Sequence, residues 1–301
     1  LVTGCLGFIG PHTTVALQQA GHEVIIIDNL SNASIEVKDR IAKITGKAPI
    51  FEQIDLREKD KVQDFFLRYP NIDGVIHFAA SKAVGESVEK PLLYYENNIA
   101  SLIYLLQELQ KRKNTAFIFS SSCTVYGQAD KLPVTEDAPF KQAECPYGNT
   151  KQINEEIIRD TCAIAKSIKA ISLRYFNPIG AHQSALIGEL PNGVPQNLIP
   201  YITQTAIGLR ESLSVYGDDY PTPDGTCIRD YIHVVDLAEA HLAALEYILQ
   251  GKIQDNYEVF NVGTGKGSSV LEVIKAFEKV TGQALPYKIV GRRAEIGRAH
   301  V

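Results

Sequence analysis

Short apolar runs alternate with longer amphipathic stretches along the first 175 residues of this 301-residue chain. The short runs are nearly continuous and rich in β-branched and aromatic residues, as expected for strands covered on both faces. This alternation predicts repeated strand–helix–strand units and therefore a parallel sheet with helices on both sides. The predicted strands are Val24–Asp28, Pro49–Asp55, Val75–Ala79, Ala116–Ser120 and Ile168–Arg174, and the predicted helices are Pro11–Ala20, Lys59–Arg68, Pro91–Lys111 and Tyr147–Ala165.

The pattern changes after residue 176. The segment Asn177–Pro200 is rich in proline and glycine, which predicts a long functional loop. Regular patterns return in a helix at Val234–Leu249, a strand at Glu258–Val262 and a helix at Ser268–Lys279. We therefore predict an α/β fold with a doubly wound parallel-sheet domain over residues 1–175, return segments around 230–262, and a smaller C-terminal substrate domain over 176–301.

Composition excludes several classes of protein. The chain is 45% hydrophobic with a net charge of -5, which argues against disorder and against a general binder of nucleic-acid backbones. No apolar run approaches the ~18 residues needed to cross a bilayer. The five cysteines contain no CxxC pair, so neither a disulfide framework nor a metal site is expected. These features predict a cytoplasmic protein with no nucleic-acid or membrane partner.

The two ends of the sequence are unusual. The chain begins at Leu1, contains no methionine, and reaches a glycine-rich turn after three residues. The final residues, Ile296–Val301, fit no motif. We expect the sequence to be a piece of a longer protein, truncated at the C-terminus of its substrate domain.

Three glycines form a candidate phosphate-binding turn. Gly4, Gly7 and Gly10 stand at intervals of three between a strand stub and a helix. Glycine allows positive φ and close approach of the backbone to a ligand, and the following helix directs its N–H groups at a diphosphate. Pro11 fits the first helical turn, where its missing N–H is not needed. An ordinary strand-to-helix turn is the alternative.

Two aspartates end the next two predicted strands. Asp28 lies eighteen residues after Gly10, where a carboxylate can accept both ribose hydroxyls of an adenosine and repel a 2′-phosphate. This position favours NAD over NADP as the cofactor. Asp55, followed by Leu56, would lie near the adenine, although a solvated aspartate at a strand end is an equally good interpretation.

A phenol and an ammonium lie four residues apart at Tyr147 and Lys151, on one face of a predicted helix. Ser122 follows the strand that ends at Ser120, at the edge where open α/β sheets bind ligands. A phenol with a pKa near 10 needs that pKa lowered by about 3, or roughly 4 kcal/mol, to act as a base at neutral pH. The lysine and a positive nicotinamide have the required charge. A Tyr–Lys pair on a helix surface is the alternative.

The glycine turn, Asp28, Ser122 and the Tyr147-x-x-x-Lys151 spacing together resemble the extended short-chain dehydrogenase/reductase family. Longer motifs are similar to those of the UDP-glucose 4-epimerases within it, from Leu1 to about Arg293. Cys5, Pro11 and Cys123 depart from that group's usual residues. The motifs are His77–Ala80, Lys82–Ser87, Tyr94–Asn98, Ser120–Gly127, Arg174–His182, Asn197–Tyr201 and Arg229–Val234.

The resemblance implies a Rossmann-type NAD domain and the role of each site residue. Tyr147 would be the catalytic base, Lys151 its partner and a cofactor ligand, and Ser122 a hydrogen-bond relay to the sugar. Tyr216 would pack near the uracil. The UDP moiety would be held by Asn177, Asn197, Arg229 and Arg293. The NAD site would also include Phe8, Ile9, Asp28, Asn29, Ser31, Asn32, Asp55, Leu56, Phe78, Ala79, Lys82, Asn97 and Phe176.

The activity implied by the resemblance is that of an isomerase of galactose metabolism, which interconverts UDP-glucose and UDP-galactose through a 4-keto sugar. A homodimer through the helices Pro91–Lys111 and Tyr147–Ala165 is also implied. A 4,6-dehydratase is disfavoured, because Cys123-Thr124 replaces its expected acidic pair. Two alternatives stay open: a 4-epimerase of UDP-N-acetylglucosamine, UDP-glucuronate or a UDP-pentose, and a non-catalytic NAD-sensing protein.

Overall fold

The computed structural model describes residues 1–292. The strands, in chain order, are β1 (Val2–Thr3), β2 (Ile25–Asp28), β3 (Ile50–Gln53), β4 (Gly74–His77), β5 (Thr115–Ser120), β6 (Ile168–Tyr175), β7 (Asn177–Ile179), β8 (Leu213–Tyr216), β9 (Ile228–His233), β10 (Tyr257–Val262), β11 (Gly267–Ser269) and β12 (Tyr287–Val290). The helices are α1 (Ile9–Gln19), α2 (Glu36–Thr45), α3 (Lys59–Arg68), α4 (Val84–Glu89), α5 (Pro91–Tyr95), α6 (Ser101–Leu109), α7 (Pro146–Ile164), α8 (Leu198–Ala206), α9 (Val234–Leu249) and α10 (Val270–Thr281).

A seven-stranded parallel sheet forms the centre of the structure, which confirms the predicted fold class. Its strand order is β10-β6-β5-β4-β1-β2-β3. The order reverses at β1, which pairs with β2 on one side and with β4 on the other. Ligands of open α/β sheets bind outside the carboxyl ends of the strands at such a reversal. The glycine turn that follows β1 therefore lies where a ligand is expected.

Both faces of this sheet are covered by helices. One hydrophobic cluster includes Val15 of α1 and Leu245 of α9, and the other includes Phe65, Leu105 and Ile158 of α3, α6 and α7. All six residues of β5 are buried between these layers. This double coverage explains why the strands were recognisable as continuous apolar runs.

The predicted helix over Pro91–Lys111 is interrupted in the structure. It consists of α5, a π-helical stretch at Glu96–Ala100, and α6. A π-helical turn inserts a residue into the helical ladder and often marks a functional site. Here it contains Asn97, whose side-chain amide donates to the Ser81 hydroxyl at 3.0 Å. The apolar periodicity of the sequence did not predict this interruption.

A second, smaller cluster of elements follows β6. Strands β11, β9 and β7 form one sheet, and β12 and β8 form a parallel pair. Helices α8 and α10 pack with that pair around Ile202, Val215 and Ile274. The predicted loop Asn177–Pro200 begins with β7 and ends inside α8, and the pair β8–β12 was not predicted. Among the helices of residues 1–292, none is both long and apolar enough to span a membrane.

Candidate active site

The glycine turn between β1 and α1 has two kinds of glycine. Gly4 has a φ of +64°, and a Cβ there would lie 2.6 Å from the backbone of Ala79. A Cβ at Gly10 would lie 2.5 Å from the Cys5 carbonyl oxygen. Packing therefore requires both glycines. Gly7 is exposed, and among the described residues a Cβ there would approach only the Gly4 carbonyl oxygen, at 3.6 Å.

The open side of this turn fits a diphosphate. Packing among the described residues does not require glycine at position 7, so close approach of a ligand to this backbone stays the prediction for it. Helix α1 begins at Ile9 and is preceded by Phe8, which within the described chain provides no side-chain cap. Its first N–H groups and its dipole are thus available to an anion. Pro11 is the third residue of this helix and not the first, as the predicted boundary implied, but it still lies in the first turn.

Asp28 is held at the carboxyl end of β2. Its two carboxylate oxygens accept hydrogen bonds of 2.9 Å from the backbone N–H groups of Leu6 and Leu30. Burial raises the pKa of the Asp28 carboxyl, and these two hydrogen bonds oppose the rise. Each carboxylate oxygen can accept a second hydrogen bond. The group can therefore receive two hydroxyls on neighbouring carbons, as the sequence predicted for a ribose.

Asp55 has a different environment at the end of β3. Its carboxylate accepts hydrogen bonds from the Arg57 guanidinium at 2.7 and 3.0 Å and from the Asn29 amide at 3.2 Å. The Arg57 hydrogen bonds lower the pKa of Asp55 to about 2. The carboxylate is thus paired with protein groups and its side chain is 19% exposed, which differs from the solvated aspartate of the alternative interpretation. Its contact with adenine stays a prediction.

Ser122, Tyr147 and Lys151 come together at the carboxyl end of β5. Ser122 follows the strand, and Tyr147 and Lys151 lie one turn apart in α7; all three side chains are buried. The Ser122 hydroxyl is near enough to the Tyr147 phenol to lower its pKa, and its oxygen accepts from the Thr124 backbone N–H at 3.2 Å. The Lys151 ammonium donates to the Ser120 carbonyl oxygen at 2.6 Å and lies 5.8 Å from the centroid of the Tyr147 ring. The predicted grouping is thus present in the structure.

Burial controls the protonation of this group. It raises the pKa of the Tyr147 phenol, while the nearby Ser122 hydroxyl lowers it. Burial also lowers the pKa of Lys151 to about 7, and the Glu155 carboxylate opposes that change. The lowering that the sequence analysis required for Tyr147 is therefore not supplied by the protein's own groups. A positive nicotinamide is the other source that we expected.

Two neighbours of this group were not predicted. The Tyr175 hydroxyl at the end of β6 lies 2.7 Å from the Ser120 hydroxyl, and its proximity contributes to the raised pKa of Tyr147. Glu155 lies one turn after Lys151 and forms a buried ion pair of 2.6 Å with Arg174. The spacing Tyr147–Lys151–Glu155 along one helix face was the available signal. The partner Arg174 comes from another strand and could not be found by spacing.

The other predicted cofactor residues lie at or near the carboxyl ends of the main-sheet strands or at the start of α1. Asn29 accepts from the Ser31 backbone N–H at 3.0 Å, and Phe78 packs against His241 with ring centroids 4.7 Å apart. Phe176 lies between β6 and β7. Lys82 is exposed, and its ammonium lies 3.5 Å from a Glu189 carboxylate oxygen. The remaining predicted residues of this set are Ile9, which begins α1, Asn32, which lies after β2, Leu56, which is buried, and Ala79, which follows β4.

The predicted UDP-binding residues are more widely distributed. Arg229 lies in β9, and its positive charge lowers the pKa of Cys123, the neighbour of Ser122, against the effect of burial. Asn177 lies in β7, and Asn197 immediately precedes α8. Tyr216 ends β8 and is 38% exposed. Arg293 lies outside the described residues. Within residues 1–292, no group of three or more His, Cys, Asp or Glu side chains could hold a metal ion.

Comparisons with known proteins identify the family of the chain. Residues 1–263 match the NAD dependent epimerase/dehydratase family. UDP-glucose 4-epimerases from Erwinia amylovora and Bacillus subtilis are each 50% identical over 293 residues, covering 97% of this chain and 86% and 85% of theirs. The structure of UDP-glucose 4-epimerase from Bifidobacterium longum in complex with NAD+ and UDP is 47% identical, with a TM-score of 0.93 over 99% of this chain and 88% of that one. The chain therefore belongs to the NAD dependent epimerase/dehydratase family.

Proposed function

We propose that this chain is an isomerase that interconverts UDP-glucose and UDP-galactose with NAD as its cofactor. The observation that carries the proposal is the buried group Ser122–Tyr147–Lys151, which lies at the carboxyl edge of a sheet whose reversal point carries the glycine turn. The relatives that are 50% identical over nearly the whole chain are UDP-glucose 4-epimerases. A non-catalytic NAD sensor would have no need of a buried phenol, serine and lysine.

The residues of the proposed cofactor site fit NAD. The exposed glycine at position 7 leaves space for a diphosphate, and the Asp28 carboxylate retains two acceptor positions for ribose hydroxyls. When bound, NAD supplies the redox chemistry by accepting the hydrogen of sugar C4 with its electron pair and returning it to the opposite face. The negative charge of Asp28 would disfavour the 2′-phosphate of NADP.

Tyr147 is the residue proposed to move the proton. Its phenol oxygen would take the proton of the sugar 4-hydroxyl and later return it, and the Ser122 hydroxyl beside it would serve as a hydrogen-bond relay to the sugar. Lys151 is fixed beside them by the Ser120 carbonyl oxygen. Its ammonium favours the phenolate, provided that the lysine is protonated when the sugar is bound.

The nucleotide residues are proposed to bind the part of the substrate that does not react. Arg229 presents paired donors that suit phosphate oxygens. Asn177, Asn197 and Tyr216, with Arg293, would hold the rest of UDP. Anchoring UDP in this way leaves the sugar able to turn and present either face of C4, so binding energy from the remote group serves the reaction.

Two further properties are part of the proposal. We expect a homodimer formed through α5, α6 and α7, because Leu92 of α5 and Ile164 of α7 are 80% and 86% exposed. We expect a cytoplasmic location, because all five cysteines lie within the described residues and are free thiols there.

The direct test is to incubate the purified protein with UDP-galactose, with and without added NAD, and to follow UDP-glucose by proton NMR of the anomeric hydrogens. Heat-denatured protein is the control. We expect conversion toward an equilibrium mixture of the two sugars without net consumption of NAD. Folded, NAD-binding protein that leaves UDP-galactose unchanged would contradict the proposal.

A further inference from the structure

A single carboxylate lies between the two halves of the proposed site. Glu189 Oε1 lies 3.5 Å from the Lys82 ammonium and accepts a hydrogen bond from the side-chain amide of Asn197. Lys82 belongs to the segment after β4, on the cofactor side, and Asn197 to the start of α8, on the nucleotide side. Glu189 therefore contacts one residue proposed for each ligand.

Contacts of the residues just before Glu189 hold its backbone in position. An isolated bridge pairs Ala181 with Gly188, and the His182 N–H donates to the Ile187 carbonyl oxygen at 3.1 Å. Ile187 is buried in the hydrophobic cluster that covers one face of the main sheet. The Glu189 side chain, which follows directly, is only 11% exposed, whereas that of Lys82 is 60% exposed.

The chain between Glu189 and Asn197 has fewer anchors. Leu190 and Val194 are 74% and 59% exposed. The Glu189–Asn197 hydrogen bond closes this seven-residue stretch and so fixes where α8 begins. Without it, the ends of the stretch would have to be held together against the entropy of an open loop.

Asn197 also departs from a local rule. It occupies the N-cap position of α8, where asparagine normally accepts a hydrogen bond from the first helical turn. Within the described residues, its side chain makes no such bond and instead donates to Glu189. A helix that forgoes its cap in favour of a tertiary contact indicates that the side chain's orientation has another purpose.

We propose that Glu189 is a positioning residue of the nucleotide site: its carboxylate holds the Asn197 amide in the orientation that binds UDP, and its ion pair with Lys82 ties this loop to the cofactor side. The inference rests on the proposed function, because Asn197 is a UDP ligand only within it. Glu189 contacts neither reacting atom, so its effect falls on substrate affinity and not on the chemical step.

Titration calorimetry of UDP into the NAD-loaded protein tests the proposal. Glu189→Ala removes the partner of Asn197 and should weaken UDP affinity about 10-fold, as for loss of one charge-assisted hydrogen bond. Glu189→Gln retains an oxygen that can accept from Asn197 and loses only an exposed ion pair, so it should weaken affinity by no more than about 5-fold. The value of KM should rise with little change in kcat.

A double-mutant cycle separates positioning from a general structural effect. If Glu189 acts through Asn197, Glu189→Ala should add little to the loss already caused by Asn197→Ala. The matched control is Glu23→Ala. Glu23 lies just before β2, and its exposed carboxylate also forms an ion pair with a lysine, Lys47. That variant should bind UDP as the unmutated protein does.

The outcomes distinguish this proposal from the proposed function. If the unmutated protein binds NAD but does not bind UDP, the proposed function is wrong. If it binds UDP and Glu189→Ala binds equally well, the positioning role is wrong. A full additional loss of affinity from Glu189→Ala in the Asn197→Ala background would also overturn it, because the carboxylate would then act by another route.

Discussion

The cofactor side and the nucleotide side of the proposed site are built in different ways. Ser122, Tyr147 and Lys151 are each less than 10% exposed and stand at the ends of a buried strand and on a helix that packs on the sheet. Asn197 and Tyr216 are exposed and lie on elements outside the main sheet. The groups proposed for proton transfer are thus fixed by the core, whereas the groups proposed for recognition depend on a few tertiary contacts.

This difference suggests a division of tasks. Proton transfer requires placement to within a fraction of an ångström, which a packed sheet provides. A recognition loop can tolerate more movement and can change with the substrate. Substitutions in the proton-transfer group and in the core beneath it should therefore affect stability or kcat, and those on the loop side should affect substrate affinity.

The largest expected effect is the loss of stability when the buried ion pair next to the proposed catalytic residues is broken. Glu155→Ala leaves the Arg174 guanidinium buried without its carboxylate, since the two side chains are 3% and 6% exposed. Breaking a buried pair in this way typically costs about 3–5 kcal/mol. Urea denaturation followed by circular dichroism measures the loss in free energy of unfolding.

The matched control lies on the same helix. Asp160 pairs with Arg159, but these side chains are 73% and 58% exposed, so Asp160→Ala should change stability by about 0.5 kcal/mol or less. If both substitutions lowered the free energy of unfolding by the same amount, the buried ion pair would contribute no more to stability than the exposed one. The core side would then not be fixed in the way described above.

The next effect concerns the proton-transfer group. Tyr147→Phe removes only the phenol oxygen and should lower kcat by at least ~10²-fold, the low end for loss of a general base. NAD affinity and thermal stability should change little, because the ring still fills its site. Tyr247→Phe, on α9, is the control and should retain full turnover. Near-normal turnover in Tyr147→Phe would remove Tyr147 from the mechanism.

Much of the core side was predictable because local patterns determine it. Lys59–Arg68 and Val234–Leu249 were predicted with the bounds that the structure has, and Asp28 was located by its position at a strand end. The Tyr147–Lys151 pair followed from helical spacing. The sequence could not show that burial would raise the Tyr147 pKa, because the burial depends on the whole fold.

The contacts that were missed join distant parts of the chain. Arg174 reaches Glu155 only because β6 packs beneath α7, and Glu189 meets Lys82 across 107 residues of sequence. Neither loop periodicity nor residue type signals such a contact. The predicted UDP-binding residues were taken from the family resemblance, since a single arginine or asparagine in a loop does not by itself indicate a binding site.

Cofactor choice tests a buried residue of the cofactor side whose proposed role is binding rather than proton transfer. Asp28→Ala removes the acceptor proposed for two ribose hydroxyls, so NAD affinity should fall about 10-fold or more, as for loss of hydrogen bonds to a charged group. The affinity for NADP should fall less, because the substitution also removes the repulsion between the carboxylate and the 2′-phosphate. Calorimetry with both cofactors measures how far the difference between NAD and NADP affinity decreases.

Asp39→Ala, on the exposed face of α2, controls for the loss of one negative charge and should leave the preference unchanged. Equal affinity of the unmutated protein for NAD and NADP would contradict the role given to Asp28.

The last comparison lies within the glycine turn, where Gly10 is predicted to serve packing and Gly7 to serve ligand binding, and the smallest expected change in stability is at Gly7. Gly10→Ala places a Cβ against the Cys5 backbone, which cannot move without displacing the turn, and should cost about 1–3 kcal/mol of stability. Gly7→Ala meets no such obstacle among the described residues, so its stability should stay within about 1 kcal/mol of the unmutated protein.

Gly7→Ala, the variant with the smaller loss of stability, should still show a clear loss of NAD affinity. If Gly7 is glycine because a diphosphate approaches its backbone, the added methyl group must weaken NAD binding by several fold while the melting temperature barely changes. Comparing NAD affinity with the melting temperature of the NAD-free protein for both variants measures this directly. If Gly7→Ala binds NAD as tightly as the unmutated protein, the diphosphate does not lie against this residue.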